Sequence, residues 1–212
     1  MSTTNGIPPI RVLIVDDHPL FREGVVAVLK GQPDMSFVGE ATTGREAIES
    51  FRQHQPHVTL MDLRMPDMNG IEAITAIRSE FPAARIVVLT TYAGDAQALG
   101  ALKAGASGYL LKSMLRKELL ETIRAVHDGK RRIPPEIATD IAEHAAEDAL
   151  TAREIEVLRG VASGKSNKLI AVQLEITEST VKAHMKSILP KLEANDRTHA
   201  VVIALKRGIL DV

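Results

Sequence analysis

Acidic, hydroxyl and amine side chains end or directly follow short apolar runs at four places in this chain. Asp16 and Asp17 follow the run RVLIV, Asp62 follows VTLM, Thr90 ends IVVLT, and Lys112 follows GYLL. If these runs are strands of one parallel sheet, the groups lie together at the edge where the strands end. Such a site can hold a divalent cation beside a carboxylate and bind a phosphoryl group, so the pattern predicts a switch.

The residue types indicate a role for each member of this site. A hard cation such as Mg²⁺ prefers oxygen ligands and keeps positions open for water and phosphate. Asp17 and Asp62 suit direct ligation, whereas Asp16 suits ligation through water. The cation would reduce repulsion at Asp62, whose carboxylate could then attack a phosphoryl group as a nucleophile. Lys112 would pair with the added phosphoryl oxygens, and Thr90 would donate a hydrogen bond to one of them. Singly, each residue type also serves as an ordinary cap, surface charge or strand former.

The elements that must position these groups are visible in the alternation of apolar runs and amphipathic helical patterns. Five strands separated by helices predict an α/β fold, with a doubly wound parallel sheet covered on both faces. We assign residues 8–128 to this domain. The predicted strands are 10–15, 36–40, 58–62, 85–90 and 108–111.

Residues 129–149 differ in composition from the segments around them. A basic cluster, Lys130-Arg131-Arg132, precedes Pro134-Pro135 and a stretch rich in Ala and Glu. Ala and Glu favour a helix, and proline suits the first turn of a helix. We therefore predict a linker that contains its own helix.

Residues 150–212 are predicted to form an all-α domain of four helices. A T-x-x-E capping box begins the first helix, and a glycine follows the last one, at 197–206. Two shorter helices, about 167–174 and 177–189, are joined by a tight turn, which is typical of a helix-turn-helix. The second of them carries Lys182, His184 and Lys186.

The composition excludes several classes of protein. With 45% hydrophobic and 25% charged residues, the chain is not typical of a disordered protein. The absence of cysteine excludes disulfides, thiolate catalysis and cysteine zinc sites. The first residues, MSTTNGIPP, lack the basic and apolar regions of a signal peptide, and no apolar run approaches the roughly 20 residues that span a bilayer. We expect a cytoplasmic protein.

Charge is distributed unevenly along the chain. Residues 1–149 carry 16 Lys and Arg against 20 Asp and Glu, whereas residues 150–212 carry 10 against 7. A control domain joined to an anion-binding domain fits this difference. Chance surface composition explains it about as well.

Several longer segments resemble bacterial two-component response regulators of the NarL/FixJ subfamily. Four segments are similar to the flavodoxin-like receiver domain: VLIVDDHPLFREGV (12–25), LMDLRMPDMNGIEA (60–73), IVVLTTY (86–92) and GASGYLLK (105–112). Two more resemble the LuxR-type DNA-binding domain: LTAREIEVLRGVASGKSNKLIA (150–171) and ITESTVKAHMKSIL (176–189). The resemblance covers nearly the whole chain. The receiver segments precede the DNA-binding segments, which is the order of domains in the family.

The resemblance implies a phosphorylation switch rather than an enzyme. Asp62 matches the phosphoacceptor, which receives its phosphoryl group from a sensor histidine kinase. Asp16 and Asp17 match the acidic pair that binds Mg²⁺ together with Asp62. Thr90 and Tyr109 match a switch pair in which the hydroxyl moves to the phosphoryl group and the ring turns inward, beside the lysine at 112. Phosphorylation would control dimerisation, binding to double-stranded DNA, and transcription.

The resemblance also implies how the C-terminal domain meets DNA. The helix at 177–189 would enter the major groove, with three residues of one face reaching base edges. Phosphate contacts would position the protein without reading sequence. The base-reading residues would be Lys182, Ala183 and Lys186, and the phosphate contacts Ser166, Asn167, Thr180, His184 and Arg197.

Three residues depart from the family pattern. Leu169 stands where a Glu is usual, so Ser166 lacks its capping-box partner, at a cost of roughly 0.5–1 kcal/mol. Pro190 cannot donate a backbone hydrogen bond, and Glu193 replaces an expected Gly. We therefore expect the recognition helix to kink or end near Leu189.

Two other classes of function fit parts of the pattern. A phosphatase of the haloacid-dehalogenase type also uses an aspartate after a strand, but it needs a second acid where this chain has Arg64. A degenerate regulator would bind DNA or a partner protein without phosphorylation. The intact acidic site argues against this, while Leu169 and Pro190 leave it open.

Overall fold

The computed structural model describes residues 8–91, 94–144 and 149–210. The chain divides into two compact units, Met1–Thr91 with Ala98–Pro135 and Tyr92–Gln97 with Glu136–Val212. The domain limits predicted from the sequence, 8–128, 129–149 and 150–212, stay a prediction. The N-terminal segment 1–7 and residues 145–148 of the predicted linker helix lie outside the described residues.

The first unit contains a five-stranded parallel sheet in the order β2-β1-β3-β4-β5. Every residue of β3 and β4 is buried, because both are apolar runs covered on two faces. The predicted doubly wound α/β fold is confirmed, and each strand matches its prediction within one residue at either end. The strands are β1 (Ile10–Val15), β2 (Met35–Ala41), β3 (Val58–Asp62), β4 (Ile86–Thr90) and β5 (Gly108–Leu111).

Helices cover both faces of this sheet. Helices α1 and α5 pack on one face, where Leu29 and Ile123 contact the inward residues of the strands. Helices α2 and α3 bury Phe51 and Ile77. In each helix, other apolar residues lie one turn away from the buried residue, as the helical period requires for one apolar face. The helices are α1 (Pro19–Lys30), α2 (Gly44–His54), α3 (Gly70–Glu80), α4 (Asp95–Ala104) and α5 (Leu115–His127), the last preceded by a 3-10 turn at Lys112–Met114.

The remaining helices include the linker helix and the helix-turn-helix. Helix α6 begins at the second proline of the pair, as expected for proline in a first turn. Ser166 caps α8 through the amide of Leu169, without the reciprocal side chain of a capping box, as predicted. The bounds are α6 (Pro135–His144), α7 (Ala152–Ala162), α8 (Asn167–Gln173), α9 (Glu178–Lys191) and α10 (Arg197–Lys206).

The prediction that the recognition helix ends near Leu189 is wrong, because α9 continues to Lys191 with Pro190 inside it. Pro190 stands in the final turn, so its ring removes one donor there and leaves the bonds of the earlier turns in place. The carbonyls of this turn find other donors. The amides of Leu192, Glu193 and Ala194 donate to the carbonyls of Ile188, Pro190 and Leu189 at 3.1, 3.1 and 2.8 Å.

Glu193 ends α9 in the conformation that glycine usually supplies. Its φ is 49°, in the left-handed region where a Cβ costs about 1 kcal/mol. The chain therefore turns out of α9 as the family pattern requires, but with strain in place of glycine.

Candidate functional site

The predicted acidic site assembles at the carboxyl edge of the sheet. Strand β1 ends before Asp16, β3 ends with Asp62, and the 3-10 turn after β5 begins with Lys112. The Lys112 Nζ lies 2.6 Å from Asp16 Oδ2 and 2.7 Å from Asp62 Oδ2. Asp16 is fully buried and Asp62 is 3% exposed. One largely buried amine therefore neutralises part of the charge of two buried carboxylates.

Two further contacts hold this amine and the phosphoacceptor candidate in place. The Lys112 Nζ lies 4.5 Å from the centre of the Phe21 ring, at the distance of a cation–π contact. The amide of Arg64 donates to Asp62 Oδ1 at 3.3 Å. Asp62 is thus bound through both carboxylate oxygens, one by a side chain and one by the main chain.

Burial and charge compete in setting the pKa values of this site. Burial raises the pKa of the Asp62 carboxyl above its usual range, although the hydrogen bond from Lys112 opposes this. Burial lowers the pKa of Lys112, but its hydrogen bonds to Asp16 and Asp62 outweigh that effect and raise the value overall. Lys112 therefore stays charged, and ionised Asp62 is costly unless positive charge lies beside it.

The site also has the donor set of a hard cation. Asp16, Asp17, His18 and Asp62 each offer one ligand atom, and these atoms lie within 4.8 Å of one another. The oxygens suit Mg²⁺, which takes carboxylates and keeps several waters. His18 was not predicted as a member. Its Nδ1 lies 3.2 Å from Asp16 Oδ1, at hydrogen-bond distance, and 2.7 Å from Asp17 Oδ1.

Gly70 is a second residue that the sequence reasoning missed. A Cβ at this position would lie 2.1 Å from the carbonyl oxygen of Asp62. The Gly70 amide also donates to the carbonyl of Leu63 at 3.0 Å. The start of α3 therefore packs directly on the backbone of the phosphoacceptor candidate, and only glycine fits there. The Asn-Gly pair after MPDM was a visible signal of a tight backbone approach.

The predicted switch pair lies on neighbouring strands: Thr90 is the last residue of β4, and Tyr109 is the second residue of β5. Each side chain is 1% exposed, and the Tyr109 hydroxyl shares a hydrogen bond with the Thr90 hydroxyl. Burial raises the pKa of Tyr109 to about 12, although the contact with Thr90 opposes this rise. The aromatic ring thus occupies an inward position with its hydroxyl satisfied.

The predicted DNA-contacting residues lie in α9, in α10 and at the start of α8, where Ser166 is the N-cap. Lys182, Ala183 and Lys186 are exposed on α9, and Lys182 Nζ lies 3.1 Å from Glu178 Oε1 in the preceding turn. These three side chains share one accessible face of the helix.

The predicted phosphate contacts form smaller groups. Arg197 Nη1 lies 3.5 Å from Asn167 Oδ1, so α10 and the start of α8 meet there. Thr180 bonds with Thr177 at the start of α9. Ser166 and Arg197 are exposed, whereas Asn167, Thr180 and His184 are partly buried.

Glu154 joins the first helix of this domain to the recognition helix. It is 4% exposed, and it accepts from Ser187 Oγ at 2.7 Å and from Lys191 Nζ at 2.9 Å. Burial raises its pKa, but the hydrogen bonds from Thr151, Ser187 and Lys191 outweigh burial and lower the pKa to about 2. This anion holds the last turn of α9, which explains why the helix continues past Pro190.

Comparison with known families agrees with both halves of this description. Residues 12–124 match the family described as response regulator receiver domain. The chain is a two-component response regulator. Residues 148–204 match the luxR family of bacterial regulatory proteins, so the regulator controls transcription and is of the NarL/FixJ type.

Proteins that are similar to nearly the full length of this chain support the same assignment. The chain is 42% identical to the transcriptional regulatory protein YxjL of Bacillus subtilis, covering 95% of this chain and 97% of that protein. It is 38% identical to the response regulator VraR of Staphylococcus aureus, covering 95% and 99% of the two chains. Both relatives are thus matched over nearly their whole length.

Solved structures of response regulators are similar too. The structure of RcsB from Salmonella enterica bound to a promoter with the phosphomimetic BeF3⁻ gives a TM-score of 0.71 at 28% identity, covering 94% of this chain and 98% of that one. ChrA, a regulator of a heme-sensing system, gives 0.57 at 34% identity, covering 96% and 100%. In the described part of this response regulator, no helix is both long and apolar enough to cross a membrane.

Proposed function

We propose that a sensor histidine kinase phosphorylates this regulator at Asp62, and that the phosphoryl group controls dimerisation and DNA binding. The observation that carries the proposal is the position of Lys112, whose Nζ contacts both Asp16 and Asp62 at 2.6 and 2.7 Å. A largely buried amine beside a buried carboxylate supplies the positive charge that a new phosphoryl group requires.

The transfer needs little from the protein beyond positioning and charge. The Asp62 carboxylate attacks the phosphorus of a phosphohistidine, an O–P bond forms, and the P–N bond breaks with the electron pair leaving on the imidazole. Asp16 and Asp17, with Asp62, would hold Mg²⁺, whose charge offsets the repulsion between the carboxylate and the phosphoryl oxygens. Lys112 exchanges its bond to Asp62 for one to a phosphoryl oxygen.

The response follows from the pair next to this site. A phosphoryl group on Asp62 offers three acceptor oxygens, and the Thr90 hydroxyl can turn from Tyr109 to one of them. Tyr109 then loses a partner for its own hydroxyl. Phosphorylation of Asp62 thereby changes the relative free energies of the conformations of Tyr109. Such a difference is what shifts the populations of those conformations.

The output is the exposed face of α9 in the DNA major groove. Lys182, Ala183 and Lys186 would reach base edges, and the residues near α8 and α10 would hold the backbone. Related RcsB has been solved on promoter DNA with a phosphomimetic, which supports a DNA-bound active form here. The regulator would act as a homodimer on paired half-sites, without catalytic turnover, and in the cytoplasm.

Acetyl phosphate, a small phosphodonor, tests the phosphorylation step. We expect wild-type protein to gain one phosphoryl group in the presence of Mg²⁺, measured by intact mass and by mobility in a phosphate-affinity gel. Asp62→Asn should gain none, and Asp17→Asn should react much more slowly at the same Mg²⁺ concentration. Equal labelling of wild-type protein and Asp62→Asn would contradict the assignment of Asp62.

Lysine substitutions test the DNA-binding face. Lys186→Ala should weaken binding to a selected operator by roughly 1–3 kcal/mol and relax base preference. Lys103→Ala, at an exposed lysine of α4, is the matched control and should leave binding unchanged. Equal effects of the two substitutions on DNA affinity would contradict the assignment of α9 as the helix that reads the bases.

A further inference from the structure

A single β-bridge joins the linker to the edge of the sheet shortly after α5. Gly129 takes a φ of 81°, and the amide of Lys130 donates to the Ala125 carbonyl at 2.9 Å, which turns the chain back along the sheet. Arg132 then forms a parallel bridge with Gly108 of β5. Residues 130–133, here called the edge segment, thus pass along the last strand, with Arg132 paired to it and residues 130–132 exposed on their other side.

Backbone hydrogen bonds hold the edge segment. The Arg132 amide donates to the Ser107 carbonyl at 3.1 Å, and the Tyr109 amide donates to the Arg132 carbonyl at 2.8 Å. The Arg132 side chain contributes less, because its ion pair with Glu121 at 3.5 Å joins two exposed groups. The position of the segment therefore depends on its main chain.

Gly108 allows the segment to approach this closely. A Cβ at Gly108 would lie 3.3 Å from the Arg132 carbonyl oxygen, 3.2 Å from a Val126 methyl and 3.3 Å from a Val87 methyl. There is thus almost no free space between β5, α5 and the edge segment. Because β5 is the last strand of the sheet, the segment also covers groups that an open edge would leave unpaired.

Tyr109 connects the switch pair to the edge segment. Its side chain bonds with Thr90, while its amide bonds with Arg132. A change at the phosphorylation site that reaches the Tyr109 ring therefore acts on a residue whose main chain holds the linker. Helix α6 begins at Pro135, three residues after Arg132 along the chain.

We infer that the edge segment is a conformational latch through which Tyr109 controls the linker: its pairing with β5 changes when Asp62 is phosphorylated, and this change carries the signal out of the receiver. The inference rests on the proposed phosphorylation of Asp62. It adds a specific route, made of two backbone hydrogen bonds, between the switch pair and the chain that leads to the DNA-binding helices.

Arg132→Pro breaks the latch selectively. Proline lacks the amide hydrogen and places a ring carbon where that hydrogen faces the Ser107 carbonyl. Arg131→Pro is the matched control, because no hydrogen bond of the Arg131 amide occurs in the described part of the chain. Arg132→Ala removes the side chain and keeps both backbone bonds. Acetyl phosphate labelling of each variant verifies that the receiver is folded.

DNA affinity with and without beryllofluoride measures the coupling in full-length protein. We expect the affinity ratio to fall from about tenfold in wild type towards one in Arg132→Pro, with both controls near the wild-type ratio. An unchanged ratio in Arg132→Pro overturns the inference and leaves the phosphorylation proposal standing. A ratio of one in wild type overturns the proposed gating itself.

Hydrogen exchange of the Tyr109 amide decides the inference independently of DNA. Beryllofluoride should change the exchange rate of this amide at least about fivefold in wild type, because its acceptor is the Arg132 carbonyl. An unchanged rate overturns the inference. If Arg132→Pro does not fold, Gly108→Ala serves instead, since its methyl group presses on the same carbonyl.

Discussion

Lys112 lies 2.7 Å from Asp62 and 2.6 Å from Asp16, so a single amine bridges two buried carboxylates from different strands. Three carboxylates, Asp16, Asp17 and Asp62, share this cluster with the one amine of Lys112. This imbalance is what a divalent cation relieves and what a phosphoryl group would increase. The stability of the receiver is therefore tied to the ligands of its switch.

Removal of the bridging amine should destabilise the receiver. Lys112→Met leaves two buried carboxylates without their cation, and breaking such a pair typically costs 3–5 kcal/mol, so we expect a loss of about 3 kcal/mol without Mg²⁺. Urea unfolding measures this, and Mg²⁺ should restore part of the loss. Lys103→Met, at an exposed position, is the control. A loss no larger than in the control would contradict the ion-pair account.

Neutralising Asp62 should have the opposite effect. Burial raises the pKa of the Asp62 carboxyl. A carboxyl whose pKa is higher in the folded state stabilises the fold only at low pH. This contribution is lost as the pH rises through the folded-state pKa. Asp62→Asn should therefore unfold at higher urea concentration than wild type at neutral pH without Mg²⁺. The gain should vanish below the usual aspartate pKa of about 3.9, where the carboxyl is protonated in both the folded and the unfolded state. A variant less stable than wild type at neutral pH would refute the direction of this shift.

The anion that holds the recognition helix gives a prediction in the second unit. Glu154→Ala removes hydrogen bonds from Thr151, Ser187 and Lys191, and we expect a loss of about 2–3 kcal/mol at neutral pH. With the pKa lowered to about 2, this contribution is complete above the usual value of 4.5 and is lost as pH falls through about 2.

Urea unfolding of full-length protein, followed by far-UV circular dichroism, measures this loss. Glu156→Ala is the matched control, because its partner Arg153 is partly exposed and the pair lies on the surface. Similar unfolding free energies for the two variants would show that Glu154 is only a helix cap.

Glycine at position 193, in the turn after α9, should make the domain more stable than the present glutamate does. Glu193 has a φ of 49°, so Glu193→Gly should stabilise the domain by about 1 kcal/mol. Glu193→Ala keeps the Cβ and should give no such gain. Thermal unfolding compares the variants, and equal melting temperatures for Gly and Ala at this position would exclude backbone strain.

The sheet and its acidic site could be predicted because both follow from local patterns. An apolar run such as VTLM specifies a buried strand, and parallel strands bring their carboxyl ends together, so Asp62 and Lys112 meet without knowledge of the side-chain contacts. The roles of Gly70 and His18 depend on how close two backbones or side chains come in space. That information is absent from spacing alone.

The error at Pro190 has a similar cause. Helix propensity and the missing amide both predicted an early end, but the decisive contact is between Lys191 and Glu154, which are far apart in sequence. A long-range ion pair outweighed a local preference. The capping box of Glu154 was visible in the sequence, whereas its bond to the recognition helix was not.

The central claim is that the phosphorylation state of Asp62 sets the DNA affinity of the regulator. A titration of operator DNA at fixed salt, with wild-type protein and Asp62→Ala, each with and without beryllofluoride, tests it most directly. We predict about tenfold tighter binding for loaded wild type and no change for Asp62→Ala. Equal affinity of wild type with and without the phosphate mimic would contradict the claim.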